Sequence, residues 1–553
     1  MMTIGVTTLV LLVVFALLGQ AMAPSWKVEP FEDHIALGSS DVAVRANRPV
    51  AVHEGAYRVR TVNLTVTTGD GARIRAVLRE PVNAPSDRPA CLFIHGSGTG
   101  SAHDFADIAS SMASAGITTL VPEKRLDDYS WIHRDYARFA DDYGRALTLL
   151  RSRHGVDPAR TGLYAESEGT WIATLMTDRD EHIGFAILSS APVVSGRQLM
   201  AMAASAYLQR AGAPAQVSDN VAKLMSMDFA PFDLRYGDFD ARRYLPSLTM
   251  PVLVNYGVLD TAMPIEQGAE TIIAAAHRSG NDNVTVRYFR ANHQMRAGEG
   301  LFTPGLPLAD GYTHTLDDWV NAVAAGTKAD GWATARIAGV TPDQRFTAPR
   351  WTSSGLIGSL GLLCAMTVAA VLAPLLAAVA ALALAVGKRF GTRRSGTRRS
   401  GIRGSDTRRA GSRRFRLRHG RFDAGLARLL VVSGTVPTLI VLMLHVYLGF
   451  VGWSAVMLHD RTALLAFGWA ALRIAALGNM VFVAWLIVRC RDELRRRGTD
   501  AADRGADPHD AGPSGDVPGP AIVGPGHWLT AALVVVGALL SLAVMAFWGL
   551  FGL

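Results

Sequence analysis

From Tyr57 to Lys328 short runs of β-branched and apolar residues alternate with longer stretches in which apolar positions recur every three or four residues. The first two runs, YRVRTVNLTV (57–66) and ARIRAVLRE (72–80), alternate apolar with polar positions and predict a hairpin turning at Thr68-Gly-Asp-Gly71. The next six, ACLFIHG, ITTLVPE, TGLYAES, IGFAILSS, PVLVNYG and NVTVRYFR, are apolar nearly throughout, as expected of strands covered on both faces. Helical stretches such as RDYARFADDYGRALTLLRSRHG separate them, so the pattern predicts an α/β domain with a mostly parallel sheet over 27–330. Residues 195–245 interrupt the alternation with a Met- and Ala-rich helical insertion, either a lid over the carboxyl edge of the sheet or ordinary helical packing.

The pattern changes at both ends. Residues 1–26 carry no charge and hold an apolar core, Ile4 to Leu18, which predicts a secretory signal or an uncleaved N-terminal anchor helix. A Thr-, Pro- and Gly-containing stretch over 331–354 reads as a linker. Beyond it, 355–386, 429–451, 462–488 and 528–551 are each long enough to cross a hydrocarbon layer of about 30 Å. The second half is therefore expected to be an α-helical transmembrane bundle of four spans, in keeping with 49% hydrophobic residues overall.

The net charge of +8 does not mark a nucleic-acid-binding face, because the excess is local. Lys388 to Arg421 alone holds 14 Lys or Arg against one acid, within a basic loop over 388–424, and it has no aromatics between Phe390 and Phe415. A second basic cluster, Arg489 to Arg497, follows the third span. Both loops are expected on the cytoplasmic side, in contact with anionic membrane lipids, which places the α/β domain outside the cytoplasm of a multi-pass membrane protein. The three cysteines, Cys91, Cys364 and Cys490, suggest neither a disulfide nor a metal cluster, and His103, Asp104, His133 and Asp135 fit no ligand spacing. No metal or cofactor is expected.

The chemistry concentrates at predicted strand ends. LYAESEGTW (163–171) runs from strand into helix, with Ser167 at the turn and small residues, Ala165 and Gly169, two positions before and after it. A sharp turn of this kind projects a serine hydroxyl and leaves the next amide, that of Glu168, free to donate to an oxyanion. A hydroxyl needs a base and the base an orienting acid. Asp260 follows the strand PVLVNYG and His293 follows NVTVRYFR, so nucleophile, acid and base come in the order Ser, Asp, His. Upstream, ACLFI runs into His95-Gly-Ser-Gly-Thr-Gly100, whose Ser97 and Gly98 amides are candidates for the rest of an oxyanion hole.

On these motifs the chain resembles the serine α/β-hydrolase superfamily, particularly bacterial esterases and thioesterases of the serine aminopeptidase and dienelactone-hydrolase type. The matching stretches are His95-Gly-Ser-Gly98, Glu123-Lys-Arg125, Ala165-Glu-Ser-Glu-Gly-Thr-Trp171, Gly257-Val-Leu-Asp260-Thr-Ala-Met-Pro264 and Asn292-His-Gln-Met295. The resemblance covers about half the chain. The resemblance implies an α/β-hydrolase fold with Ser167 as nucleophile, Asp260 as orienting acid and His293 as base. It departs in Leu126-Asp-Asp after Arg125, where such proteins carry glycine, and in Thr170. A glutamate at the position of Glu168 is common in such families; Glu166 has no such precedent and is read as solvated or paired with an arginine, the sharper reading being that it sets the charge of the pocket.

The resulting expectation is a membrane-anchored serine hydrolase acting on an ester, thioester or amide of a small molecule, lipid or peptide. The alternatives are an acyltransferase with the same triad, or a transporter, sensor or scaffold with a hydrolase-like binding domain. Arg473, within the third span, is expected to snorkel toward the outer interface, and His445 and Asn479 to bond between helices.

Overall fold

The structure is a computed structural model. It describes residues 1–553 apart from 51, 131, 231–233, 300–302, 304, 397–418, 421, 503–521, 524 and 553. The basic loop expected over 388–424 lies largely outside the described residues. The chain forms two compact units: Trp26–Tyr207 with Val221–Thr352, and Met1–Ser25 with Leu208–Asn220 and Ser353–Leu553.

Among the described residues, the second of these holds five helices long and apolar enough to span a membrane. They are α1 (Met2–Met22), α9 (Leu360–Gly396), α10 (Ala424–Val456), α11 (Thr462–Ala502) and α12 (Pro525–Phe547). Close approach between them uses glycine: a Cβ on Gly537 would lie 2.6 Å from Pro374 Cδ, and one on Gly19 would lie 2.5 Å from the Ala546 carbonyl. Arg473 donates to the Gly552 carbonyl, so the guanidinium is satisfied by the chain after α12. The polar residues expected to bond between helices do otherwise. His445 Nδ1 contacts the Val441 carbonyl of its own helix at 2.8 Å, and the buried Asn479 amide has no hydrogen-bond partner among the described residues.

In the other unit nine strands form one sheet: β1 (Val59–Thr67), β2 (Arg73–Pro81), β3 (Arg88–Ile94), β4 (Thr118–Pro122), β5 (Val156–Glu166), β6 (Ala186–Ser189), β7 (Val252–Gly257), β8 (Val284–Phe289) and β9 (Ile337–Gly339). Their spatial order is β1-β2-β4-β3-β5-β6-β7-β8-β9. β2 is antiparallel to both β1 and β4, and every pairing from β4 onward is parallel. The predicted hairpin closes where Thr68 N donates to the Ala72 carbonyl at 2.8 Å.

Strand pleating sorts the core into two layers. Along β3, Ala90, Leu92 and Ile94 face one side, where α3 (Tyr136–Arg151), α4 (Glu168–Arg179) and α7 (Ile265–Arg278) pack through residues such as Leu147, Ile172 and Ile272. Cys91 and Phe93 face the other side, against α2 (Ala106–Ser114) and α8 (Tyr312–Ala324), through Met112, Leu316 and Trp319. This is why the strands read as unbroken apolar runs: both of their faces are covered. The expected insertion consists of α5 (Gly196–Arg210), α6 (Ala215–Lys223) and short 3-10 turns between Leu224 and Ser247.

The segment 331–352, read from its composition as a linker, belongs to the sheet unit. Ile337–Gly339 pairs with Val286–Tyr288, and the side-chain oxygen of Gln344 accepts from the Glu266 and Gln267 amides. A three-residue edge strand carries too little periodicity to stand out in sequence.

The strand order, with helices on both faces and an antiparallel β2 near one edge, is that of the α/β-hydrolase fold. Its active face is set by topology. The connection after β3 leads to β4 on one side, whereas that after β5 leads to β6 on the other, so a crevice opens beyond the carboxyl ends of β3 and β5.

Candidate active site

Ser167 sits in that crevice, between the end of β5 and the first residue of α4, at φ 54° and ψ −125°. A non-glycine residue at positive φ costs about 1–3 kcal/mol and persists only where its surroundings enforce it. Here the enforcement is steric and hydrogen-bonded. Ser167 N donates to the Ser189 carbonyl at 2.9 Å, and a Cβ on Gly169 would lie 2.5 Å from the Ile94 carbonyl and 2.8 Å from that of His95. The small residue expected after the serine is therefore required by the neighbouring strand end. Ala165, fully buried, fills the position before it.

Asp260 and His293 are brought together: His293 Nδ1 lies 2.7 Å from Asp260 Oδ2, and both side chains are buried. With a carboxylate as partner, Nδ1 carries the proton, which leaves Nε2 as the basic lone pair. Burial alone would lower the histidine pKa, but Asp260 outweighs it and holds the imidazole above its ordinary value. The other Asp260 oxygen accepts from the Ala262 amide at 2.9 Å. A hydrogen bond between Ser167 Oγ and His293 is not among those formed by the described residues; such bonds commonly tighten only in a substrate complex.

The loop after β3 is fixed by His95. Its Nε2 lies 2.9 Å from the Ser101 carbonyl and its Nδ1 3.0 Å from the Tyr143 hydroxyl, which assigns the proton to Nε2 and makes Nδ1 an acceptor. Burial pushes this imidazole down to about 4, so it remains neutral. The amides of Ser97, Gly98 and Glu168 donate to no protein acceptor among the described residues and remain free.

Sequence alone missed what holds those amides. The Glu168 carboxylate is buried at 4% exposure and accepts four bonds: Oε2 from Lys124 Nζ (2.6 Å) and Tyr129 OH (3.0 Å), Oε1 from Arg134 (2.6 Å) and Tyr136 OH (2.9 Å). Burial alone would raise its pKa, yet Lys124 and Arg134 together hold it below the usual carboxylate range. Lys124 also donates to the Gly96 carbonyl at 3.0 Å, and because Tyr129 gives its proton to Glu168, Ser97 Oγ donates to Tyr129 OH at 3.0 Å. The peptide bond is planar and trans, so turning the Gly96 carbonyl toward Lys124 turns the Ser97 N–H the opposite way. Glu168 thus supplies one candidate oxyanion donor and anchors the network that aims the other. Lys124 stands in the quoted Glu123-Lys-Arg125 motif; Tyr129, Arg134 and Tyr136 had no signal of their own.

Glu166 differs from its expected state. It is 4% exposed, its carboxyl group borders a polar cavity, and it makes no hydrogen bond or ion pair with arginine among the described residues.

Comparison with known proteins gives no family model that matches the chain, and no curated protein matches its sequence. Solved structures do match. A protein named as a dienelactone hydrolase from Klebsiella pneumoniae aligns at 15% identity and a TM-score of 0.35, over 49% of this chain and 99% of that one. A cold-adapted esterase from an Arctic intertidal metagenomic library aligns at 16% identity and a TM-score of 0.30, over 48% and 93%. Dipeptidyl peptidase 4 from Porphyromonas gingivalis aligns at 13% identity and a TM-score of 0.32, over 44% and 33%. By its own strand order the chain has an α/β-hydrolase fold, and an esterase and a peptidase are among the solved structures to which it is similar.

Proposed function

We propose that the protein is a membrane-anchored serine hydrolase that cleaves an ester, thioester or amide through an acyl-enzyme. The observation that carries this reading is the 2.7 Å contact of His293 Nδ1 with Asp260, at the same sheet edge as a Ser167 held at positive φ. In this mechanism His293 Nε2 takes the proton of Ser167 Oγ as the oxygen attacks the acyl carbon. The developing oxyanion receives the free amides of Ser97 and Glu168, and His293 returns the proton to the leaving group. Water then repeats the sequence on the acyl-enzyme. Asp260 holds the imidazole through Nδ1 and stabilises the imidazolium that forms at each step.

Five helices of membrane length support anchoring, and the basic clusters beside two of them favour an extracytoplasmic hydrolase domain. The catalytic reading is tested by rapid mixing with 4-nitrophenyl esters of increasing chain length. A burst of 4-nitrophenol equal to the enzyme concentration, abolished by Ser167→Ala, is expected; turnover unchanged in Ser167→Ala contradicts it.

A further inference from the structure

Beside the triad lies a polar cavity of about 430 Å³ whose lining includes Thr99, Asp104, Glu166, Gln294 and Arg296. Each of three walls adjoins a piece of the proposed machinery in sequence: Thr99 follows the oxyanion loop, Glu166 precedes Ser167, and Gln294 follows His293. Two of the polar groups that line the cavity bond no other part of the protein among the described residues. Glu166, 4% exposed, makes no hydrogen bond among the described residues, and Thr99 Oγ1 is buried without a partner. A buried polar group left unpaired costs about 1–3 kcal/mol, so an orphaned hydroxyl beside an acid with no protein partner is suited to completion by a ligand that enters the cavity.

The charges identify that ligand. Arg296 is ion-paired with Asp107, and Asp104 accepts from the Gly100 and Ser101 amides at 2.8 Å each. What remains without a bonded partner among the described residues is the carboxyl group of Glu166, which lines the same cavity. We propose that this cavity is a substrate subsite for a protonated amine, with Glu166 as its counter-ion and Thr99 as a further acceptor. The assignment rests on the serine-hydrolase reading for its place in a reaction, and it names the substrate class: acyl compounds that carry an ammonium group.

Titration agrees with the geometry. Burial pushes Glu166 up to about 7, against the opposing pull of His293 and Arg296, with Asp104 and Asp107 adding to the rise. Tyr164 and Tyr312 also face this carboxyl group and stay neutral in their buried positions. The folded protein therefore holds the Glu166 proton more tightly than the unfolded chain does. An ammonium ligand favours the ionised acid, so its binding strengthens as pH rises through about 7 and releases a proton.

The test has a catalytic arm and a binding arm, both on the full-length protein in neutral detergent. In the first, 4-nitroanilides of ω-amino acids two to six carbons long are compared with their methyl-terminated isosteres. An optimal amino substrate favoured by about 10-fold or more in kcat/KM is expected, with the ratio falling to about one in Glu166→Gln and reduced in Thr99→Val. In the second, calorimetry measures n-butylammonium against n-butanol, with saturable binding of the cation alone expected and weakened about 10-fold in Glu166→Gln. No amine preference at any length in the wild-type protein, or a preference that survives Glu166→Gln, overturns the subsite. Wild-type protein that binds the cation through Glu166 but shows no burst with any ester supports the subsite and contradicts the hydrolase reading. A burst without amine discrimination does the reverse.

Discussion

Lys124 Nζ sits 2.6 Å from Glu168 Oε2 while it also donates to the Gly96 carbonyl, so one buried ammonium joins the residue after the nucleophile to the loop that faces it. Breaking a buried pair by removing one partner leaves the other charge uncompensated and costs about 3–5 kcal/mol. Glu168 keeps Arg134 as a counter-charge, so Lys124→Met is expected to lower the stability of the sheet unit by less, about 1–3 kcal/mol. It should also reduce kcat by about 100-fold with KM less affected, because the Ser97 amide loses its orientation. Denaturant unfolding followed by tryptophan fluorescence, alongside ester turnover, checks both effects.

Tyr129 offers a milder test of the same network. Its hydroxyl bridges Ser97 Oγ and Glu168 Oε2 at 3.0 Å each, and Tyr129→Phe removes the bridge without removing a charge. A loss of about 1 kcal/mol in stability is expected, with a fall of about 10-fold in kcat and little change in KM. A change confined to KM would place Tyr129 in substrate binding instead.

The elbow was the most legible part of the sequence because its constraint is local. A strand end turning directly into a helix requires small residues around Ser167, and Ala165 and Gly169 could be read without a structure. The positions of Asp260 and His293 were legible for a related reason: each follows an apolar run of strand length, and parallel topology sends every such end to one edge. The polar network was not legible. Lys124, Tyr129, Arg134 and Tyr136 come from a strand end, a loop and a helix start, and only folding shows that all four meet Glu168. Glu166 failed for the same cause, since burial of a lone acid follows from what packs over it.

In Gly169→Ala the new methyl group meets two carbonyl oxygens of the β3 end, at 2.5 and 2.8 Å, and backbone cannot yield as a side chain can. A cost of about 1–3 kcal/mol is expected, with loss of turnover because Ser167 and the loop at His95 are pushed apart. An active, fully stable variant would show that the elbow packs otherwise.

The pH dependence follows from His293. The imidazole must be neutral to accept the proton from Ser167, and Asp260 holds its pKa above the ordinary 6.5 despite burial. Activity is thus expected to fall as pH drops through that raised value. Removing the carboxylate in Asp260→Asn should move the acid limb of kcat/KM to lower pH and reduce kcat by about 10⁴-fold. In stability the sign is the opposite of the activity limb. A histidine with a raised folded pKa contributes stabilisation that is present below the unfolded value and is lost as pH rises through the folded one. A pH series of kcat/KM for wild type and Asp260→Asn reads the first effect directly.

The central claim is that Ser167 is a nucleophile activated by the His293–Asp260 pair, and covalent labelling tests it most directly. Full-length protein in detergent is treated with a fluorophosphonate probe, digested, and mapped by mass spectrometry. A single adduct on Ser167 is expected, absent in Ser167→Ala and formed much more slowly in His293→Gln. Folded wild-type protein that remains unlabelled, or an adduct on a different residue, would contradict it.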